Sequence, residues 1–298
     1  MEELRLIEEI RKRAGSPGKG VRAGIGDDCA VLGHDSRRYL LWGADMLVEG
    51  THFRVKETGY RKIGRKAVAV NISDIAAMGG VPAYITAAVG IPPRMKRTAV
   101  GAVYDGIFGI CEDYGIRVIG GDTNRSDRLI ISVSIIGFVE KKRLIRRNGA
   151  REGDLILVTG PVRDGRRNHL DFVPRLKEAR FLSARYRIHS MIDVSDGIAP
   201  DLGRICAESG LGCKVYAGSI PLSRGLTLDE ALYYGESFEL LFTMSAPESR
   251  RLFLDMRSGG RDPLYFIIGE MSRKSGGLRL IRDEGRSVAM KTEGYRHL

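Results

Sequence analysis

Two α/β halves joined near residues 140 to 147 are what the sequence predicts, and three observations predict them. The chain has 298 residues, enough for one large or two medium domains with a sizeable core. Apolar strand-like runs alternate with helical stretches along the whole length. The alternation stops at Glu140 to Arg147, a charged run with little apolar periodicity, and restarts after it.

The first half opens with MEELRLIEEIRKRAG, which reads as an amphipathic helix with Leu4, Ile7 and Ile10 inward and not as a signal peptide. CAVLG and RYLLWGADMLV follow as strands, then a helix over Tyr60 to Met78. A strand in AYITAAVGI, a helix from Lys96 to Tyr114, a short IRVIGGD and a long LIISVSIIGFV complete the half. In the second half DLILVTG is a strand and Asp171 to Arg185 a helix. MIDVSDG runs from strand into turn, PDLGRICAESG is a helix closed by Gly210, and FELLFTM is another strand.

Several function classes are excluded by composition. No apolar run reaches the ~18 residues of a membrane span, so no membrane association is expected. Cys29, Cys111, Cys206 and Cys213 are widely spaced and form no CxxC pair, which fits small buried fillers in a reducing cytoplasm. The histidines lack metal-ligand spacing; His34, His169, His189 and His297 are expected at the surface. The net charge of +11 is spread along the chain with no aromatic ladder beside it, so anionic small molecules are expected as partners and nucleic acid is not. Met46 and Met78 are expected in the core.

The chain is basic, yet its motif-like places are acidic. Asp27 and Asp28 in GIGDDCAVL, Asp45 in LLWGADMLVEGTHF, Asp74 in KAVAVNISDIAAMGG, Asp122 in VIGGDTNR, and Asp193 and Asp196 in MIDVSDG each end an apolar stretch beside glycine or small residues. Glycine there lets a ligand approach the backbone. Carboxylates suit Mg²⁺, which commonly bridges protein oxygens to phosphates. Gathered together, these acids repel unless cations sit among them. Singly each has a structural explanation: Asp74 at a helix start, Asp122 in a turn, Asp28 as a helix cap. If its strand continues, Asp193 shares a face with Ser195, and Asp196 then precedes a helix whose N-terminus favours anions. No GxxxxGK[ST], HRD, DFG or GxSxG string is present.

These strings, in this order, resemble the thiamine-monophosphate kinase family, within the superfamily that includes aminoimidazole-ribonucleotide synthetase. RNGAREGD, LILVTG, IPLS and GESFELLFT belong to the same match, which runs from Gly24 to Thr243. The resemblance implies an α+β, aminoimidazole-ribonucleotide synthetase-like fold. Residues 1–140 would form an α/β domain that binds ATP and metal and dimerises through its sheet. Residues 141–298 would form a second α/β domain completing the nucleotide and substrate cleft.

Carried over by position, the resemblance implies a Mg²⁺ cluster on Asp28, Asp45, Asp74, Asp122 and Asp193, with a further metal on Asp196. It places Gly121, Asp122, Arg147 and Ser195 at ATP, and His52 and Glu236 at the thiamine phosphate. The implied activity is phosphorylation of thiamine monophosphate by the γ-phosphoryl of ATP, in line, in a cytoplasmic homodimer and with no protein nucleophile. Such an acceptor is largely dianionic near neutral pH and needs no strong base.

Three departures lie on the acceptor side. Ser237 stands where the family's GGEDYEL string has an acid. Thr292 stands where an aromatic residue, usually Trp, precedes the terminal Gly-Tyr295. The stretch 161–190 lacks the family's Pro-rich string. Two alternatives therefore stay open: a related ATP-dependent enzyme acting on another phosphorylated or carbonyl-bearing metabolite, and a non-catalytic nucleotide-binding protein. A hydrogenase-maturation dehydratase would need a C-terminal cysteine, and a selenophosphate synthetase an N-terminal Cys or Sec; this sequence offers neither.

Overall fold

The computed structural model describes residues 3–163, 169–258, 264–282 and 285–292. Six strands form the first sheet: β1 (Val21–Ala23), β2 (Ala30–Gly33), β3 (Arg38–Val48), β4 (Val81–Ile91), β5 (Arg117–Arg125) and β6 (Ile130–Glu140). Their order is β1-β2-β3-β6-β4-β5, antiparallel except for β4 and β5. Alternation along β6 is complete, with Ile131, Val133, Ile135 and Val139 buried and the residues between them half-buried.

The buried face carries the helix α2 (Tyr60–Ala77), whose Ile63, Val68, Ile72 and Ile75 are fully enclosed. A second helix, α3 (Arg97–Asp113), lies against α2. Gly64 of α2 and Gly106 of α3 permit the contact, because a Cβ at either would collide with a carbonyl of the other helix. The opposite sheet face leaves Trp42 52% and Met46 54% exposed. Strand alternation thus corrects the expected core position of Met46, while Met78 is buried. The helix α1 (Glu3–Ala14) forms as expected, but Ile7 and Ile10 are 40% and 47% exposed within the single chain, contrary to the inward placement read from their spacing.

Beyond Glu140 the strands build a second sheet: β7 (Leu155–Thr159), β8 (Ser190–Asp193), β9 (Leu211–Tyr216), β10 (Leu240–Met244), β11 (Tyr265–Arg273), β12 (Leu278–Ile281) and β13 (Ser287–Ala289). The order is β13-β12-β9-β11-β7-β10-β8, with only β9 and β12 parallel. β8 and β10 are buried throughout, so they read as unbroken apolar runs. Helices cover this sheet: α4 (Leu176–Arg185), α5 (Ile198–Ser209), α6 (Leu228–Tyr233) and α7 (Ala246–Ser258). Gly210 closes α5 in the left-handed conformation. The helix expected from Asp171 starts only at Leu176, because Phe172 instead enters the first core and stacks on Phe238, ring centroids 4.0 Å apart.

One feature of this packing positions the site. Ile72 and Ile75 of α2 belong to the first core, whereas Ala76 and Ala77 pack with Leu157, Leu240 and Phe242 of the second sheet. The last turns of α2 are therefore held between both sheets. Among the described residues, no helix is long and apolar enough to cross a membrane.

Candidate active site

Asp28 lies in the turn before β2, Asp74 in the last turn of α2, and Asp193 at the end of β8. Oxygens of the three carboxyls all lie within 4.8 Å of one another. Asp74 is not at a helix start and Asp28 caps no helix, so neither of the simple structural explanations holds. Ser73 Oγ donates to Asp193 Oδ2 at 2.6 Å, and Arg147 Nη2 donates to Asp28 Oδ1 at 2.7 Å. Beside them, Asp27 accepts from Arg146 Nε at 2.8 Å and from the Arg147 backbone at 3.2 Å.

Burial pushes the Asp74 carboxyl well above the usual range, and Asp45, Asp193 and Asp28 add to the push. A side-chain hydrogen bond with Asp45 adds the smallest part of the push. Asp193 is raised by burial first and Asp28 second; the Ser73 bond and Arg147 oppose this without overcoming it. Asp28 Oδ2 and Arg147 Nε are buried with no hydrogen-bond partner. An all-oxygen donor set with one orphaned carboxylate oxygen fits a Mg²⁺-type cation.

The turn after β8 is occupied by a second acidic group. Arg204 pairs with both Asp196 and Asp201. Asp201 Oδ2 accepts from the Asp196 and Gly197 amides at 3.0 and 3.2 Å, closing the start of α5. Burial raises Asp201 to about 7 despite Arg204. β8 ends at Asp193, so the shared strand face foreseen for Asp193 and Ser195 does not form. Instead the Ser195 carbonyl accepts the Glu236 amide at 2.7 Å, and a Cβ at Gly235 would strike that same carbonyl.

Glu236 itself stands at φ 65° and Phe238 at φ 51°, left-handed conformations that cost non-glycine residues energy. The Glu236 carboxylate pairs with Lys66 of α2, and its Oε2 lies 3.0 Å from His169 Nδ1. Lys66 is fully buried; its Nζ donates to the His52 carbonyl at 3.1 Å and lies 2.6 Å from His169 Nδ1. That single ring nitrogen serves only one of its two neighbours at a time. Burial raises Glu236, but His169 and Lys66 together hold it below its ordinary value. Burial lowers Lys66, with Glu236 opposing. His52 Nδ1 accepts the Val48 amide at 3.1 Å.

Asp122 stands apart from the acidic cluster within one chain. It pairs across the sheet with Ala88, Ser132 and Met46, which places it on the outer face and not in a turn. Its oxygens accept from the Thr123 amide at 2.8 Å and Asn124 Nδ2 at 2.5 Å. Gly121, one residue earlier, aligns with Ala87, Val133 and Asp45 on the inner face, three strands and roughly 14 Å from Asp45. A Cβ on Gly121 would collide with the Ala87 carbonyl.

Family models of the AIR synthase related protein match twice, the N-terminal domain over residues 26–139 and the C-terminal domain over 163–280. The thiamine-monophosphate kinase of Salmonella typhimurium is 34% identical over 323 aligned positions, covering 99% of this chain and 98% of that one. The chain belongs to the thiamine-monophosphate kinase family. The thiamine-monophosphate kinase structure from Stenotrophomonas maltophilia K279a superposes with a TM-score of 0.74 at 33% identity, covering 96% of this chain and 98% of that one. A structure of AaThiL complexed with AMPPCP and TMP gives 0.85 at 27% identity, covering 100% and 97%.

Against this thiamine-monophosphate kinase background, Lys66, His169, Ser73, Asp201 and Arg204 contact the candidate site residues, and the sequence did not single them out for that. His169 and His189 correct the surface assignment. The His169 side chain is 13% exposed beside Lys66, and His189, 6% exposed, bonds both oxygens of Asp154 at 2.9 and 2.8 Å. His34 is the more exposed and packs on Phe138; His297 lies outside the described residues. All four cysteines are buried and free. Of the acceptor-side departures, Ser237 is buried with no partner for its hydroxyl, and the Thr292 methyl lies against Gly203 of α5. Tyr295 is outside the described residues.

Proposed function

We propose that this chain phosphorylates thiamine monophosphate to the diphosphate with ATP as donor, by in-line transfer of the γ-phosphoryl group. One observation carries the reading: three carboxyls from three separate motifs, one buried and two half-buried, converge to within 4.8 Å in a chain of this family. Asp28, Asp74 and Asp193 would hold Mg²⁺, with Asp45 beside Asp74. The cations, when bound, supply charge neutralisation between two polyanions.

The chain's own residues supply position. Ser73 aims Asp193, Arg147 aims Asp28, and Arg204 with Asp201 fixes the Ser195–Asp196 turn. Arg147 and Ser195 would face the nucleotide, and Asp196 a further metal. His52 and Glu236 would hold the acceptor, whose phosphate is already largely ionised near neutral pH, so no side chain has to remove a proton.

Asp122 and Gly121 would reach the nucleotide only in a homodimer. Support comes from Asp122 on the outer sheet face, shared with exposed Trp42, Met46, Tyr84 and Ile119. In this reading residues 1–140 and 141–298 act as the two domains, and the free cysteines suit a cytoplasmic setting. A second reading, another phosphate monoester as acceptor, is favoured by Thr292, which has no ring to stack on a thiamine.

Incubation with Mg·ATP and a panel of phosphate monoesters, read by mass spectrometry, tests this. Thiamine diphosphate is the expected product. A different diphosphate selects the second reading, and ADP with no new product contradicts both.

A further inference from the structure

The far end of α2 from the acids carries a lysine for which the phosphoryl-transfer reading has no use. Lys66 is fully enclosed, and an ammonium without partners is among the costliest groups to bury. Its partners come from three places in the chain: the His52 carbonyl in the loop after β3, the Glu236 carboxylate before β10, and His169 ahead of α4. Two of these are the residues the resemblance assigns to the acceptor. The third lies in the stretch where the chain departs from the family's pattern.

The His52 loop is closed by backbone bonds to Val48 and the Glu236 loop is bonded to Ser195 and Val194; Lys66 joins the two loops to α2. Glu236 occupies a left-handed conformation that a non-glycine residue holds only when its surroundings impose it. The Ser195 carbonyl fixes its backbone and Lys66 fixes its carboxylate. Lys66 is also seven residues before Ser73 on the same helix face, so it stands roughly 10 Å along the axis from the Ser73–Asp193 contact. A rigid helix with the acidic cluster at one end and an anchored carboxylate at the other acts as a ruler. It suits a phosphate monoester whose far end offers hydrogen-bond donors to Glu236, still 28% exposed in its side chain.

We propose that Lys66 is a positioning residue for the phosphoryl acceptor, holding the Glu236 carboxylate at a fixed span from the acidic cluster. The inference rests on the kinase reading above. It adds that acceptor affinity depends on a group that does not itself touch the acceptor.

Steady-state kinetics on Lys66→Met, Glu236→Gln and the double variant tests it. Lys66→Met is expected to raise the acceptor KM at least about tenfold, with ATP KM and kcat within about twofold of wild type. Because Lys66 acts through Glu236, the double variant should match Glu236→Gln alone to within about twofold. It also removes both charges together, so it covers the case in which the single variant fails to fold. Lys66→Arg, which keeps the charge, should recover part of the acceptor affinity. An unchanged acceptor KM in Lys66→Met, an equal rise in ATP KM, or additive effects in the double variant would overturn the inference and leave the kinase reading standing. A wild-type protein that phosphorylates no monoester would overturn both.

Discussion

At the Asp74 end of α2, three carboxyls gather beside one guanidinium; at the Lys66 end, one carboxylate sits between an ammonium and an imidazole. Both places are buried, yet their acids move in opposite directions. Asp74 and Asp193 are pushed well up, whereas Glu236 is held down. Burial acts the same way on all three, so the difference comes from the neighbours. The Glu236 end is complete as it stands. The Asp74 end carries excess negative charge and one orphaned oxygen, a donor set that the proposed cation would complete.

The largest effect that sharpens this contrast is on turnover. Asp74→Asn and Asp193→Asn should each lower kcat by about a hundredfold or more, since even residues behind metal ligands cost ~10–100-fold. In the metal-free protein the same changes should raise Tm, because they relieve like-charge repulsion. Thermal melts in chelator would check this, and a fall in Tm would break the contrast.

The smallest effect concerns a carboxylate outside both ends. Glu140, at the end of β6, bonds Arg180 of α4 through both oxygens at 2.8 Å and Arg143 at 3.0 Å. The Arg180 bonds hold it at about 2. A depressed carboxylate contributes stability above its ordinary value near 4.5, and that contribution is lost as pH falls from there toward 2. The side chain is 41% exposed, so solvent screens the pair. Glu140→Gln should cost about 0.5 kcal/mol at neutral pH, shrinking across that acid window in denaturant titrations. A cost that does not change with pH would assign the effect to packing.

Much of the architecture was legible because it rests on period and punctuation. β6 alternates along its whole length, α2 and α3 end within a residue or two of their predicted limits, and Gly210 stops α5. The three acids that converge, Asp28, Asp74 and Asp193, were legible too, each set beside glycine or small residues at the end of an apolar stretch. Strands β1, β9, β11, β12 and β13 were not assigned: β1 and β13 are three-residue edge strands, and β9 is interrupted by Gly212 and Lys214.

Lys66 was illegible for a physical reason. A single lysine in an apolar helix reads as a solvated face, and its two side-chain partners lie 103 and 170 residues away along the chain. The one available signal was its place on the same helical face as Ser73 and one turn before Val70, where a surface residue does not belong. Met46, Ile7 and Ile10 went the other way, apolar residues on faces that the single chain leaves open.

Divalent-cation binding tests the convergence of the acids most directly. Mg²⁺ or Mn²⁺ should be titrated calorimetrically into wild type, Asp74→Asn and Asp193→Asn. Binding by wild type, weakened at least about tenfold in each variant while Lys66→Met binds normally, is the predicted result. Equal cation affinity in wild type and both aspartate variants would contradict it.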